Sequence, residues 1–188
     1  MKLIFTPILM LTVAFNCLAQ GNNSKSIIAL KNETAATIQS GYDDYKKIAL
    51  SIWDYAELGY KENKSSALLQ NTLKDNGFKV KEGVAGMPTA FVASYGSGTP
   101  VIAILAEYDA LPGLSQDNST TKNPIANKNS GHACGYHLFG AGSVAAGIAI
   151  KKLLEKGKIK GTIKCLERQQ RKAEAEKYIW FEPDCLIK

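Results

Sequence analysis

The feature that most constrains this chain is the stretch from Val101 to Ile150. It opens with an uninterrupted apolar run, Val101-Ile102-Ala103-Ile104-Leu105-Ala106. That run stops on acids: Glu107-Tyr108-Asp109-Ala110-Leu111-Pro112-Gly113. An apolar run with no polar alternation predicts a strand buried on both faces. A polar loop from Gln116 to Ser130 follows, long enough to suggest a working loop. Then comes Gly131-His132-Ala133-Cys134-Gly135-Tyr136-His137-Leu138-Phe139-Gly140. It leads into a helix predicted from Leu138 to Leu154, whose Gly/Ala/Ser-rich first half lets it lie close to a sheet. A buried strand that delivers a carboxylate to its end, beside a His/Cys cluster at the mouth of a helix, is how an open α/β sheet presents a metal site.

The flanks read as scaffold. Residues 20–30 form a polar lead. From Asn32 to Tyr55, Ile38, Tyr42, Tyr45, Ile48, Ala49, Ile52 and Trp53 recur at helical spacing, with Gly59 beyond as a stop. Glu62 to Asn76 predicts a second helix with Ala67, Leu68, Leu69 and Leu73 inward and Gly77 as its cap. Phe78-Lys79-Val80 alternates like a strand. Thr89 to Tyr95 and Pro100 to Ala106 read as two strands joined at Gly96-Ser97-Gly98, a hairpin-type turn. Gly161-Thr162-Ile163 begins another strand. The predicted class is α/β, a mixed sheet flanked by helices, with no internal repeat.

Composition narrows the function classes. The chain has 188 residues, 45% hydrophobic and 21% charged, an ordinary globular mixture. Its net charge of +6 comes mostly from Lys151, Lys152, Lys156, Lys158, Lys160 and Lys164. That cluster lacks the arginines and aromatics of a nucleic-acid surface, so no nucleic-acid partner is expected. Lys2 followed by the apolar run Leu3 to Leu18 reads as a secretory signal, residues 1–19, cleaved after Ala19. It is too short to favour a spanning helix. A lipoprotein reading would use Cys17 instead. The predicted location is exported, periplasmic or extracellular, with no membrane attachment after cleavage. Cys17 leaves with the signal and Cys165 and Cys185 sit late in the chain. Cys134 therefore stands alone in the body, as a ligand or nucleophile rather than half of a bridge.

The chemistry-bearing residues are few. Glu107 and Asp109 alternate at a strand end and so point to opposite sides unless the strand stops there. Asp109 reads either as a loop cap before Leu-Pro or as a metal-site carboxylate, directly or by orienting a ligand. His132 and His137 are the 2 histidines of the chain, and Cys134 lies between them. Thiolate and imidazole together suit zinc and similar metals. A structural Cys, helix-capping polar groups and chance are the plain alternatives. A Cys/His nucleophile pair is a further one, although it needs an orienting third group that the sequence does not show.

Four stretches carry a family resemblance: Trp53-Asp54-Tyr55-Ala56-Glu57-Leu58-Gly59, Gly86-Met87-Pro88-Thr89-Ala90-Phe91, Ala106-Glu107-Tyr108-Asp109-Ala110-Leu111-Pro112-Gly113 and Gly131-His132-Ala133-Cys134-Gly135. Over about residues 32–164 the chain resembles secreted amidohydrolases of metallopeptidase family M-twenty, in the p-aminobenzoyl-glutamate hydrolase and N-acyl-amino-acid hydrolase branch. The resemblance implies that residues 20–164 form the N-terminal half of a zinc-peptidase-like catalytic domain. It implies a divalent metal, zinc or manganese, and a small N-acyl amino acid or short peptide as substrate. It also implies that the Cys134 position and the second His position of the motif are ligands and that Asp109 supports the site. In this chain Tyr136 stands where the family's liganding His would be. A phenol with a pKa near 10 is a poor ligand at neutral pH. His137 is next door, but a one-residue shift turns its side chain elsewhere.

The resemblance stops after Lys164. The family continues with Phe-Gly-Thr-Pro-Ala-Glu-Glu, which holds the general-base Glu. Here the chain reads Cys165-Leu166-Glu167-Arg168-Gln169-Gln170-Arg171-Lys172. Permitted codons for these residues, read two bases on, spell Phe-Gly-Thr-Pro-Ala-Glu-Glu. Residues 165–188 thus read as an out-of-frame tail, with a natural charged helix from Glu167 to Tyr178 as the alternative. The expected consequence is a truncated, inactive chain with weak or no metal, retaining no catalytic base and not forming a family-type homodimer. A non-catalytic exported fragment or binding protein, and a Cys134-dependent thiol hydrolase, are the other readings.

Overall fold

The structure is a computed structural model and describes residues 24–167. The predicted signal segment, the tail from residue 168 onward and Cys17 and Cys185 with them lie outside the described residues. The chain divides at Gly41 into two units, residues 1–40 and 41–188. In the first, residues 24–40 are helical (α1), so the helix begins inside the stretch read as a polar lead. Thr34 Oγ1 donates to the Leu30 carbonyl at 2.8 Å, a bond within the helix.

The second unit opens with α2, Tyr42–Tyr55. Asp43 and Asp44 in its first turn suit the positive end of the helix dipole. Ile48, Ala49 and Ile52 form its buried stripe, and Ala56 ends it in the left-handed region at φ 41°. The single periodic run from Asn32 to Tyr55 is thus broken at Gly41 into two helices. Helix α3 is Asn63–Asp75, stopped by Gly77 at φ 82°. Leu69 and Leu73 are buried as expected, but Ala67 faces solvent and Ser65, Ser66 and Gln70 turn inward. Those polar side chains find partners there: Ser65 on Glu57, Ser66 on the Thr89 carbonyl, Gln70 on Ser66. Partnered burial of a small polar group costs little, so the apolar stripe alone misjudged the inward face.

The main sheet has four strands: β1 Lys79–Glu82, β2 Phe91–Ser97, β3 Val101–Ala106 and β6 Gly161–Glu167. Two short strands, β4 Leu111–Pro112 and β5 Ser130–Gly131, pair separately and pinch the base of the loop between them. The main sheet runs β1-β2-β6-β3, with β6 antiparallel to β2 and parallel to β3. The expected β2–β3 hairpin is therefore corrected. The glycine turn does connect them in sequence, but β6 enters between them. Ile163 and Cys165 put their side chains into the core from that central position, 2% and 0% exposed. β6 continues three residues beyond Lys164, pairing Cys165 with Ala93 and with Ile104.

Helix α4, Tyr136–Glu155, packs on the sheet face that carries Phe91, Ala93, Ile163 and Cys165, alongside α2 and α3. Its length and composition would suit a membrane span, yet Val144, Ala145, Ile148 and Ala149 are buried in the protein core. Two glycines set its approach. A Cβ on Gly140 would come within 3.2 Å of Tyr108 Cβ, and one on Gly147 would fall well inside 3.0 Å of Cys165 Sγ.

Strand β3 does not match its expected burial. Among the described residues it lies at the sheet edge, paired on one side by β6, and Ile102 and Leu105 are 57% and 45% exposed. The apolar run correctly marked a strand; whether both faces are covered depends on neighbours that no local pattern encodes.

Candidate functional site

Three of the four motif stretches meet at the C-terminal end of α2. Ala110 N donates to the Glu57 carbonyl at 2.8 Å, beside a parallel bridge between Leu58 and Ala110. This holds the Trp53–Gly59 stretch against the end of β3. Ser130 Oγ donates to the Ala56 carbonyl at 2.6 Å, and His132 Nε2 lies 3.0 Å from the Ile52 carbonyl. Those two contacts hold the His/Cys stretch to the same turn. Lys128 adds an Nζ hydrogen bond to the Asp54 carbonyl and an ion pair of 3.6 Å to its carboxylate. The fourth stretch enters through Thr89, whose carbonyl accepts from Ser66 Oγ at 2.6 Å and from the Tyr108 hydroxyl.

The carboxylates gather here. β3 ends at Ala106, so strand alternation no longer governs Glu107 and Asp109, and both are buried. Glu57 caps α3 from a distance: its carboxylate accepts from Lys64 N at 3.0 Å and from Ser65 N and Oγ at 2.8 Å each. Three charge-assisted bonds on the first turn of a helix are a strong cap. Glu62 is wholly buried and accepts from Tyr60 N at 3.0 Å and Thr89 Oγ1 at 2.8 Å. Burial pushes the Glu62 carboxyl above its ordinary range, and nearby Asp109 adds to this; the hydrogen bonds pull the other way. Neither Glu62 nor Thr89 stood out in the sequence as a site residue. A contact 27 residues apart has no periodic signature.

The His/Cys turn is split by the fold. Gly135, at φ 77°, starts α4 and turns Cys134 to solvent. His132 and His137 go inward, 4% and 8% exposed, with ring centroids 5.2 Å apart. Trp53 packs edge-on to His137 at 4.7 Å and stacks on His132 at 6.3 Å. Because His132 Nε2 faces a carbonyl, that nitrogen carries the proton in the neutral ring and Nδ1 is the acceptor. Burial holds His132 down at about 4, helped by His137, and lowers His137 in the same direction. Tyr136 is half-buried beside Glu107, Cys134 and Asp109. Its phenol is pushed up to about 12, by desolvation first and by the Glu107 charge next.

Among the described residues these positions are not brought together as one ligand set. His132 Nε2 is committed to a backbone carbonyl, both rings are packed on Trp53 with their Nδ1 atoms buried and without a hydrogen-bond partner, and Cys134 is exposed. The Tyr136 phenol is further from ionising than a free one. Among the described residues no group of three or more His, Cys, Asp or Glu side chains is arranged to hold a metal ion.

No family model matches the chain. Curated relatives do. The chain is 41% identical over 128 residues to one of the subunits of p-aminobenzoyl-glutamate hydrolase from Escherichia coli, covering 68% of this chain and 27% of the relative. It is 38% identical over 92 residues to thermostable carboxypeptidase 1 of Saccharolobus solfataricus, covering 48% of this chain and 23% of that protein. Its fold matches the crystal structure of Bacillus subtilis YXEP, a dinuclear metal binding peptidase of family M-twenty, with a TM-score of 0.58. That match has 21% identity and covers 69% of this chain and 35% of that one. Two of these relatives are named as a hydrolase and a carboxypeptidase, and the neighbour as a peptidase; what the chain shares with them is sequence with the first two and fold with the third. More particularly, the chain belongs to the M-twenty family of amidohydrolases and peptidases. It spans about a quarter of the length of the curated relatives it matches.

Proposed function

We propose that the chain is part of an exported amidohydrolase that cleaves the amide of an N-acyl amino acid or a p-aminobenzoyl-glutamate-like substrate, and that by itself it does not turn over. The observation that carries this reading is the 41% identity to the Escherichia coli p-aminobenzoyl-glutamate hydrolase. The hydrolysis in such enzymes draws on a divalent metal. The residues described here do not gather a ligand set, and no hydrolytic step can be written through them alone. What they do supply is a frame: a strand end carrying Glu107 and Asp109, held against the turn after α2 by the Glu57 carbonyl and the Leu58–Ala110 bridge. A full ligand set would need groups beyond the described residues.

The test expresses two proteins, the 188-residue chain and a version with the frame restored at residue 165 and extended into the following gene sequence. Both are assayed on a panel of N-acyl amino acids and p-aminobenzoyl-glutamate. Turnover is expected only in the second, and there only once Tyr136→His is also made. Metal-dependent turnover by the 188-residue chain alone would overturn the reading. Sequencing the mature N-terminus tests export separately, with Gln20 expected as the first residue.

A Cys134 thiol hydrolase is less well supported. Cys134 is exposed, but the two imidazoles that could serve as its base are buried against Trp53.

A further inference from the structure

We infer that Glu62 is the positioning residue of this site, clamping the strained turn after α2 to Thr89 at the entry of β2, which Tyr108 ties in turn to the segment after β3, so that Asp109 is held in one place. The inference rests on the hydrolase reading only in taking Asp109 as a working group.

The turn from Ala56 to Tyr60 is unusual. Two of its non-glycine residues have left-handed backbones, Ala56 at φ 41° and Tyr60 at φ 67°. Non-glycine residues keep such angles only where surrounding contacts over-determine them. At Ala56 the Ile52 carbonyl and Ser130 hydroxyl supply those contacts, and at Tyr60 the Glu62 carboxylate does. One oxygen takes the Tyr60 N–H, directly at the strained residue, and the other takes the Thr89 hydroxyl from the stretch entering β2. Thr89 is itself locked, since Ser66 and Tyr108 both donate to its carbonyl. Gly59 lies between the two acids: a Cβ there would sit 3.8 Å from Glu62 Oε1 and 3.9 Å from Asp109 Oδ2. Any larger residue at 59 would stand between them.

The choice of a fully buried carboxylate is itself informative. An acid at 0% exposure next to another acid is costly, and α3 does not need it as a cap, because Glu57 already holds the first-turn amides. Filling the space would need only a leucine. The arrangement instead demands two acceptor oxygens pointing in different directions, one to Tyr60 and one to Thr89. The tie reaches Asp109 through the backbone. Glu62 fixes Tyr60, the turn fixes Glu57, and the Glu57 carbonyl accepts from Ala110, the residue after Asp109.

The test uses the whole 188-residue chain and amide hydrogen exchange, which does not depend on turnover. Glu62→Gln keeps a carbonyl acceptor; Glu62→Leu keeps volume only. The amides of Tyr60 and Ala110 should exchange at least about tenfold faster in Glu62→Leu, while Ile163 and Cys165 on the central strand stay protected. In Glu62→Gln they should return to within about threefold of the parent. Parent-like protection of both amides in Glu62→Leu would overturn the inference, as would a Gln variant no better than the Leu one. If Glu62→Leu loses protection throughout, Thr89→Val decides. There Tyr60 and Ala110 must loosen ahead of Ile163 and Cys165, and uniform loosening overturns the clamp. Failure of the hydrolase reading would leave these exchange rates unchanged, so the two can fail separately.

Discussion

Replacing Gly147 by alanine tests whether the strand truly continues into the core past Lys164. A methyl at Gly147 would lie well inside 3.0 Å of Cys165 Sγ, and Cys165 is 0% exposed on the central strand. The sulfur cannot retreat, because β2 and β3 hold β6 on both sides. Overpacking of this kind costs about 1–3 kcal/mol, and a site with no room belongs at the upper end. Alanine in mid-helix returns about 1 kcal/mol of propensity over glycine, leaving a net loss of about 2 kcal/mol. For a chain of this size each kcal/mol moves the Tm by about 2–4 °C, so Gly147→Ala should melt about 4–8 °C lower. Cys165→Ala removes the obstacle. In that background Gly147→Ala should be neutral or stabilising, a coupling of about 2–3 kcal/mol in a double-mutant cycle read by urea or thermal unfolding. Equal destabilisation in both backgrounds would refute the packing of Cys165 on Gly147, and with it the register of β6 beyond Lys164.

Acid should weaken the fold through its histidines. The folded His132 titrates at about 4, below its ordinary 6.5, and His137 is lowered too, so their neutral-state stability is present above about pH 6.5 and is lost as pH falls toward 4. His132→Gln should flatten the melting temperature between about pH 7 and pH 5, and an unchanged slope would count against the buried pair. The open β3 edge should drive self-association, since Ile102 and Leu105 are exposed there while β1 at the other edge carries Lys79, Lys81 and Glu82. Leu105→Lys should raise the monomer fraction in size-exclusion light scattering, and no change would show that the edge is not the sticky surface. Purified chain should hold far less than one zinc by elemental analysis, and Tyr136→His alone should not restore it, because the two inward histidines and outward Cys134 remain apart. Tight stoichiometric zinc in either protein would contradict the geometry.

Much of this chain is legible without its tertiary structure. The helical stripe Ile48, Ala49, Ile52, the paired leucines of α3 and the small residues of α4 are set by period 3.6 within one element, and their inward faces are buried. The apolar run before Glu107 is a strand, and the acids do mark its end. Sequence by itself also determined the family, because the motif residues are written in the chain whatever their contacts. What tertiary structure decided are the choices between distant partners. β6 displaces β3 from β2 because strand pairing depends on the whole sheet, not on the turn between neighbours. Ser65, Ser66 and Gln70 face inward because acceptors wait for them on other segments and on one another. His132 reaches the Ile52 carbonyl across 80 residues and Glu62 reaches Thr89 across 27, so no local spacing announces either contact. A residue's type limits which bonds it can make; the energy of burying it unpartnered selects one of them, and only the assembled fold offers the partner.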